Sequence, residues 1–423
     1  MSDVTFTSWG SANSIGASCH VLTFGGRRIG IDYGAGVRSG EEEPQHDGPL
    51  DDIFITHGHR DHVGMLPRAL ARWPATRWWG TFVTREIASW IWSDALRIDI
   101  QEQRPSAFTT MDATRAYSCM KLVVAGTKIH LDDHLTVTPF SAGHILGAVG
   151  FIFEYRGERY VITGDINLKN HGFVSSAEVP EFSRTRLLIR ESTYAGQLPT
   201  KTRSEIEGEF IASIRAVLQG GGRVVIPALA IDRMAEIFAL LHQSGLESQW
   251  PLRVVGGARP TEIYYEYAPR ARVLGSMRRF EGRYEQLSAR KSREPLIVLA
   301  SSGMLAKDTP SYAWATEVLG DSSSAIFMVN WQDPCTPGGA VLNSEADAEV
   351  LLPTGTFSRK CRIERFDFSS HAKEDEMSVI EERLKPDVIV HVHGEDARIN
   401  EFLASTSDRS RRHKAEIGVT LKL

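Results

Sequence analysis

At 423 residues the chain exceeds what one hydrophobic core holds, and an apolar fraction of 42% is enough to fill more than one. A formal net charge of −5 argues against a broadly basic face that neutralises many phosphates, while leaving room for a local channel built from Arg184, Arg186, Arg190, Arg203, Arg359, Arg362 and Arg365. Four scattered cysteines, Cys19, Cys119, Cys335 and Cys361, are too sparse for a disulfide scaffold; with no export leader and no bilayer-length apolar run, the expectation is a cytoplasmic protein without membrane contact.

The first third reads as short strands broken by glycine, at residues 4–6, 20–24 and 28–32, the last two joined at Gly25-Gly26. A strand at 51–56 runs into a polar turn, and 81–93 has helical character. Strands follow at 135–140, 150–155 and 159–163, the last pair a hairpin through Arg156-Gly157-Glu158, and then at 185–191. Beyond Glu191 helices alternate with buried strands: a helix at 202–218, a strand at 223–227, a helix at 232–242, and strands at 252–256, 296–299 and 325–329. That alternation predicts an α/β segment with a largely parallel sheet. A strand-rich style returns after about residue 352, with strands at 361–368, 388–391 and 417–420 and a helix at 374–384. The expected division is 1–196, 197–351 and 352–423, the middle part being an insertion.

The turn after the strand at 51–56 is Thr56-His57-Gly58-His59-Arg60-Asp61-His62. Three imidazoles and a carboxylate within six residues form a donor set suited to zinc, and a turn after a buried strand can aim several of them at one point. Further donors stand in the same kind of place, beside glycine and just past a strand: His144 after Gly143, Asp165 after Gly164, and His391 and His393 before Gly394. Singly, each is as readily a turn cap or a buried structural residue. Their shared placement makes the stronger case.

His57, His59, Asp61 and His62 match the His-x-His-x-Asp-His signature of the metallo-β-lactamase superfamily. Glu191-Ser192-Thr193-Tyr194, Phe368-Ser369-Ser370-His371-Ala372 and Val392-His393-Gly394-Glu395 resemble the three additional motifs of its β-CASP branch. That branch includes nucleases of the ribonuclease J type and the polyadenylation cleavage endonuclease. Residues 227–233 and 300–305 resemble stretches of the inserted domain, so the likeness spans essentially the whole chain with its motifs in order. It implies a metallo-β-lactamase αββα sandwich with an inserted α/β β-CASP domain. It also implies two zinc ions, with Mn²⁺ as an alternative: one held by His57, His59 and His144, the other by Asp61, His62 and His393, with Asp165 between them and Asp32 in support. The chain departs from the family at Lys373, where an acidic residue is usual, and at Ala340 after Gly338-Gly339, where an arginine of the glycine-rich stretch is missing.

The chemistry implied is hydrolysis of a phosphodiester in single-stranded RNA by a metal-activated water. Asp61 orients the nucleophile, His371 protonates the leaving oxygen and Glu191 holds the imidazole. The expected partner is single-stranded RNA, with DNA a second candidate and a homodimer one arrangement to test. Two rivals use the same residues: a metallohydrolase of a small thioester, lactam or phosphoester, and a non-catalytic RNA-binding subunit.

Overall fold

The computed structural model describes residues 4–36, 43–268 and 294–423. By contacts it divides into two compact units, the first comprising Met1–Asn170, Val174–Pro199 and Ser370–Leu423, the second His171–Phe173 and Thr200–Ser369.

The first unit carries two seven-stranded sheets. One runs in the order Thr420–Lys422, Val4–Gly10, Cys19–Phe24, Arg27–Ile31, Asp52–Phe54, Arg77–Gly80, Lys121–Leu122. The other runs Arg412–Lys414, Pro386–Val392, Thr185–Glu191, Glu158–Ile162, Val149–Tyr155, Leu135–Ser141, Ile129–His130. Phe6, Leu22, Phe24, Ile31 and Phe54 of the first sheet and Val137, Phe151, Phe153, Leu187, Ile189 and Val390 of the second form one apolar layer between them. The outer face of the first sheet buries Ile53, Ile55 and Trp78 with Leu66, Leu70, Ala88, Trp92 and Ala116 of helices Leu66–Arg72, Phe82–Gln101 and Thr110–Cys119. On strand Thr185–Glu191, Leu187 and Ile189 face the inner layer. Arg190 faces the other way and binds Glu374 and Glu381 of helix Glu374–Leu384. The layering is the αββα sandwich that the resemblance implies.

The second unit is built on an all-parallel sheet in the order Leu252–Val255, Ile297–Ala300, Val224–Pro227, Ala325–Met328, Arg362–Arg365. Its three central strands, Ile297–Ala300, Val224–Pro227 and Ala325–Met328, are short and buried on both faces, which is why they read as continuous apolar runs. Helix Arg203–Gln219 starts at a capping box between Thr202 and Glu205, which satisfies orphan amides of its first turn.

Some expectations shift. The strand read at 361–368 is confined to Arg362–Arg365 and pairs in parallel with Ala325–Met328, so it completes the inserted sheet. By contacts the second seam therefore falls at 369/370, against 351/352 drawn from the sequence. The terminal strand is Thr420–Lys422 rather than 417–420, set by its antiparallel register with Thr5–Thr7. Helices Leu66–Arg72 and Thr110–Cys119 and strand Arg77–Gly80 carry no clear periodicity in the sequence, because their apolar positions are few and find their partners only in the folded layers. The hairpin at 155–158 turns through Arg156 and Gly157, both with positive φ, as a two-residue turn between twisted strands requires.

Arg190 is 1% exposed, so its guanidinium is stable there only while paired. Arg190→Ala is expected to destabilise the first unit by about 3 kcal/mol, at the lower end for a broken buried ion pair because Arg412 still holds Glu381. The urea midpoint of that unit's transition reports it, and a shift equivalent to less than about 1 kcal/mol would show the pair to be dispensable.

Candidate metal centre

Most candidate donors lie at or beyond the C-terminal end of a strand in the first unit. Strand Asp52–Phe54 leads into His57 and His59, and the short helix Arg60–Val63 presents Asp61 and His62, where the sequence predicted only a turn. His144 follows Leu135–Ser141, Asp165 follows Glu158–Ile162, Glu191 ends its own strand, and His393 follows Pro386–Val392. These last four strands point the same way, as two antiparallel steps and two parallel ones dictate. Backbone conformation aims the side chains further. Gly164 adopts φ +56°, and a Cβ there would come within 2.8 Å of the Thr56 side chain, so only glycine lets the Asp165 turn close on the histidine loop. His393 is itself left-handed at φ +52°, a strained setting kept by its amide donating to Ser11 and its carbonyl accepting from Ser192.

The donors fall into overlapping groups. His57, His59, His144 and Asp165 form one; Asp61, His62 and His393 another; Asp165, Glu191, His371 and His393 a third. Within each group the donor atoms lie within 4.8 Å of one another. His57 Nε2 and His144 Nε2 stand 3.0 and 3.2 Å from His59 Nδ1, and each is 3.6 Å from Asp165 Oδ2. Donor atoms around a tetrahedral zinc with Zn–N near 2.0–2.1 Å are about 3.3 Å apart, so this spacing fits an ion. In the second group His62 Nε2 lies 3.3 Å from Asp165 and 3.6 Å from Asp61, and His393 Nε2 lies 3.4 Å from Asp61. His62 Nε2 is buried and has no hydrogen-bond partner among the described residues, as an atom reserved for an ion should be.

The opposite nitrogen of four imidazoles is anchored, which sets the tautomer a ligand needs. His62 Nδ1 donates to Asp32 at 2.7 Å, His144 Nδ1 to the Ser370 carbonyl at 2.9 Å, His57 Nδ1 contacts the Thr56 hydroxyl at 3.0 Å, and His393 Nδ1 the Thr193 hydroxyl at 3.1 Å. Asp32 also accepts from the Thr56 amide and hydroxyl, so one carboxylate steadies the loop and one of its ligands.

Charge follows the same pattern. Burial and neighbouring imidazoles keep His57 and His144 well below the usual histidine range, hence neutral, and burial holds His59 down at about 4. Burial opposes the Asp165 carboxylate, yet His393, His62 and His371 hold it well below its ordinary value. Burial likewise opposes a charge on His62, but Asp165, Asp61 and Asp32 outweigh it and push it well up, a field that favours a cation at that spot.

His371 stands beside the donors. Its Nδ1 is 2.7 Å from Glu191 Oε2 and 4.0 Å from Asp165, and its side chain is 20% exposed. Burial works against its proton, but Glu191 and Asp165 raise it to about 9. Glu191 is fixed by the Ile166 amide at 2.7 Å and the Thr193 hydroxyl at 2.6 Å. The sequence reading named no role for Thr193 or Thr56, although both lie inside the quoted motifs. Lys373 sets its ammonium 5.6 Å from the Tyr194 ring, itself 6.3 Å from that of His371. His391 is not a donor to these groups: it is fully buried and pairs with the Ser192 hydroxyl at 2.9 Å. The arginines read as a channel have acidic partners in five cases, Arg184 and Arg186 with Asp387, Arg190 with Glu374 and Glu381, Arg203 with Glu207 and Glu236, and Arg362 with Glu364.

Three comparisons bear on this arrangement. Residues 5–182 match the family model described as anti-Pycsar protein Apyc1, and residues 357–411 the model of a Zn-dependent metallo-hydrolase RNA specificity domain. The chain is 28% identical to RNase aCSPSF2 of Saccharolobus solfataricus, covering 91% of this chain and 78% of that protein. It is 27% identical to endoribonuclease YSH1 of Saccharomyces cerevisiae and 25% to endoribonuclease ysh-1 of Neurospora crassa, covering 92% and 93% of this chain but 54% and 52% of theirs. The chain thus spans about half the length of the fungal relatives. In shape it is similar to a solved protein of unknown function from Enterococcus faecalis V583, with a TM-score of 0.60 at 15% identity over 99% of this chain and all of that one, a likeness of fold alone. Among the described residues no helix is long and apolar enough to cross a membrane.

Two substitutions separate a ligand from its support. Asp165→Ala, which removes the carboxylate common to two donor groups, is expected to lose most of the bound zinc after loading and desalting, read by inductively coupled plasma mass spectrometry. Asp32→Asn should bind zinc about 10- to 100-fold more weakly without abolishing it, the usual effect of losing a ligand's hydrogen-bond partner. Full zinc content in Asp165→Ala would remove that residue from the centre.

Proposed function

From the premise that the chain is a metallo-β-lactamase-type protein of the β-CASP branch, we propose that it hydrolyses phosphodiester bonds of single-stranded RNA with two zinc ions. The observation that carries this is the pairing of two donor groups around Asp165 with an acid-base couple, His371 and Glu191, at their border. In the proposed arrangement His57, His59 and His144 hold one ion, Asp61, His62 and His393 the other, and Asp165 serves both. The RNA target is supported by the match of residues 357–411, which include His371 and His393, and by the names of the relatives.

Bound there, the ions supply Lewis acidity for an attacking water and for the charge that builds on the phosphoryl oxygens. The chain's own residues do the rest. Asp61, kept ionised by His62, His393 and His59 although burial opposes it, orients the attacking water as a hydrogen-bond acceptor. His371 donates from Nδ1 to Glu191, which leaves Nε2 to protonate the departing oxygen. Glu191 fixes the ring and favours its charged form, and Thr193 holds Glu191 in turn. The histidine neighbours around Asp165 keep that carboxylate an acceptor at working pH.

Retention of every donor speaks against a purely structural subunit. His371→Ala is expected to leave zinc content near that of the parent while lowering cleavage of end-labelled single-stranded RNA by about 10²-fold or more, the scale of a lost general acid. Unchanged cleavage would remove His371 from the mechanism. With the parent protein, single-stranded RNA should be cut in preference to DNA and duplex. Internal product lengths identify endonucleolytic action, and turnover of small esters without RNA cleavage would overturn the nuclease reading.

A further inference from the structure

The second unit carries an aromatic surface that the metal chemistry does not use. Of the nine tryptophans, only Trp331 is as much as 41% exposed. One exposed apolar residue is ordinary on a protein surface, so its mounting is what matters. Trp331 lies in the loop after Ala325–Met328, between Asn330 and Gln332, both more than nine-tenths buried. Asn330 Oδ1 accepts from the Leu229 amide at 3.4 Å, in the loop after Val224–Pro227. Gln332 Nε2 donates to the Gly303 carbonyl at 2.9 Å, in the loop after Ile297–Ala300. The chain on either side of the indole is thus tied to two neighbouring loops, and the ring faces solvent from a fixed base. Leu229, 39% exposed, extends the apolar surface.

The position is special in the sheet. From Val224–Pro227 the chain leaves through helix Arg233–Gln243 for Leu252–Val255 on one side. From the adjacent Ala325–Met328 it leaves through helix Pro337–Leu342 for Arg362–Arg365 on the other. The two loops part at a topological switch point, beyond the carboxyl ends of the strands, where open parallel sheets bind ligands. An exposed aromatic face on a fixed base at such a point complements the face of a planar ring.

We infer that Trp331 is a stacking platform for an unpaired base of single-stranded RNA, on a loop that Asn330 and Gln332 hold in place; this rests on the RNA reading above. Stacking on an aromatic face is tolerant of base identity, so the platform contributes grip rather than sequence choice.

The test is equilibrium binding of a fluorescein-labelled oligouridylate by zinc-loaded protein in a His371→Ala background, where the strand stays intact. Adding Trp331→Ala should weaken binding about tenfold, whereas Trp331→Phe should keep most of the affinity. An oligomer with abasic riboses should bind the parent and Trp331→Ala equally. If the wild-type protein cuts RNA but Trp331→Ala binds as tightly as the parent, the platform is wrong and the nuclease reading stands. If RNA is neither bound nor cut by the wild-type protein, both fall together.

Discussion

One buried anion organises the first unit. The Asp165 carboxylate is 3% exposed, and its oxygens lie 3.3–4.0 Å from nitrogens of His57, His62, His144, His371 and His393. Isolated in a protein interior, a carboxylate costs several kcal/mol, so the fold must surround it with groups able to answer its charge. Imidazoles do so in two ways, as proton carriers or as ligands of a cation. Those facing other histidines and few carboxylates, His57 and His144, are held neutral; those facing carboxylates, His62 and His371, are pushed toward the charged form. Burial and the neighbouring charges thereby sort four chemically identical side chains into two kinds.

Much of this was legible in the sequence, for a physical reason. Parallel strands end at one edge of a sheet, so a donor placed just past a strand and beside a glycine is already confined to that edge. His57, His59, His144, Asp165 and His393 all obey this. His391 shows where the rule stops. It lies within strand Pro386–Val392, on the face opposite Val390 and Val392, where Ser192 meets its ring, whereas His393 stands past the strand's end. Asp61 and His62 were read as turn residues, yet a single helical turn presents them, because four residues are too short for periodicity to register.

The less legible parts depend on partners far away in the chain. Nothing local marks Arg362–Arg365 as the outer strand of the inserted sheet; its parallel pairing with Ala325–Met328 decides that. Thr193 looks like any polar residue after a strand until Glu191 and His393 both meet its hydroxyl. The pairing of His371 with Glu191 came from family likeness, since 180 residues separate them. Trp331 carried no signal of its own, because its exposure follows from where its two neighbours turn.

The site's donors are also ordered in time. His57, His59, His144 and Asp165 lie within the first 165 residues and share one group, whereas His371 and His393 follow some two hundred residues later. Strand Pro386–Val392, which carries His393 to its place, pairs with Thr185–Glu191 across the whole second unit, a closure that is slow by its sequence separation. During vectorial synthesis the early quartet emerges first and can gather before His371 has been made to pair with Glu191. On the proposed assignment, a growing chain would hold metal while still unable to cut, and hydrolytic capacity would arrive only when the last strands are laid down.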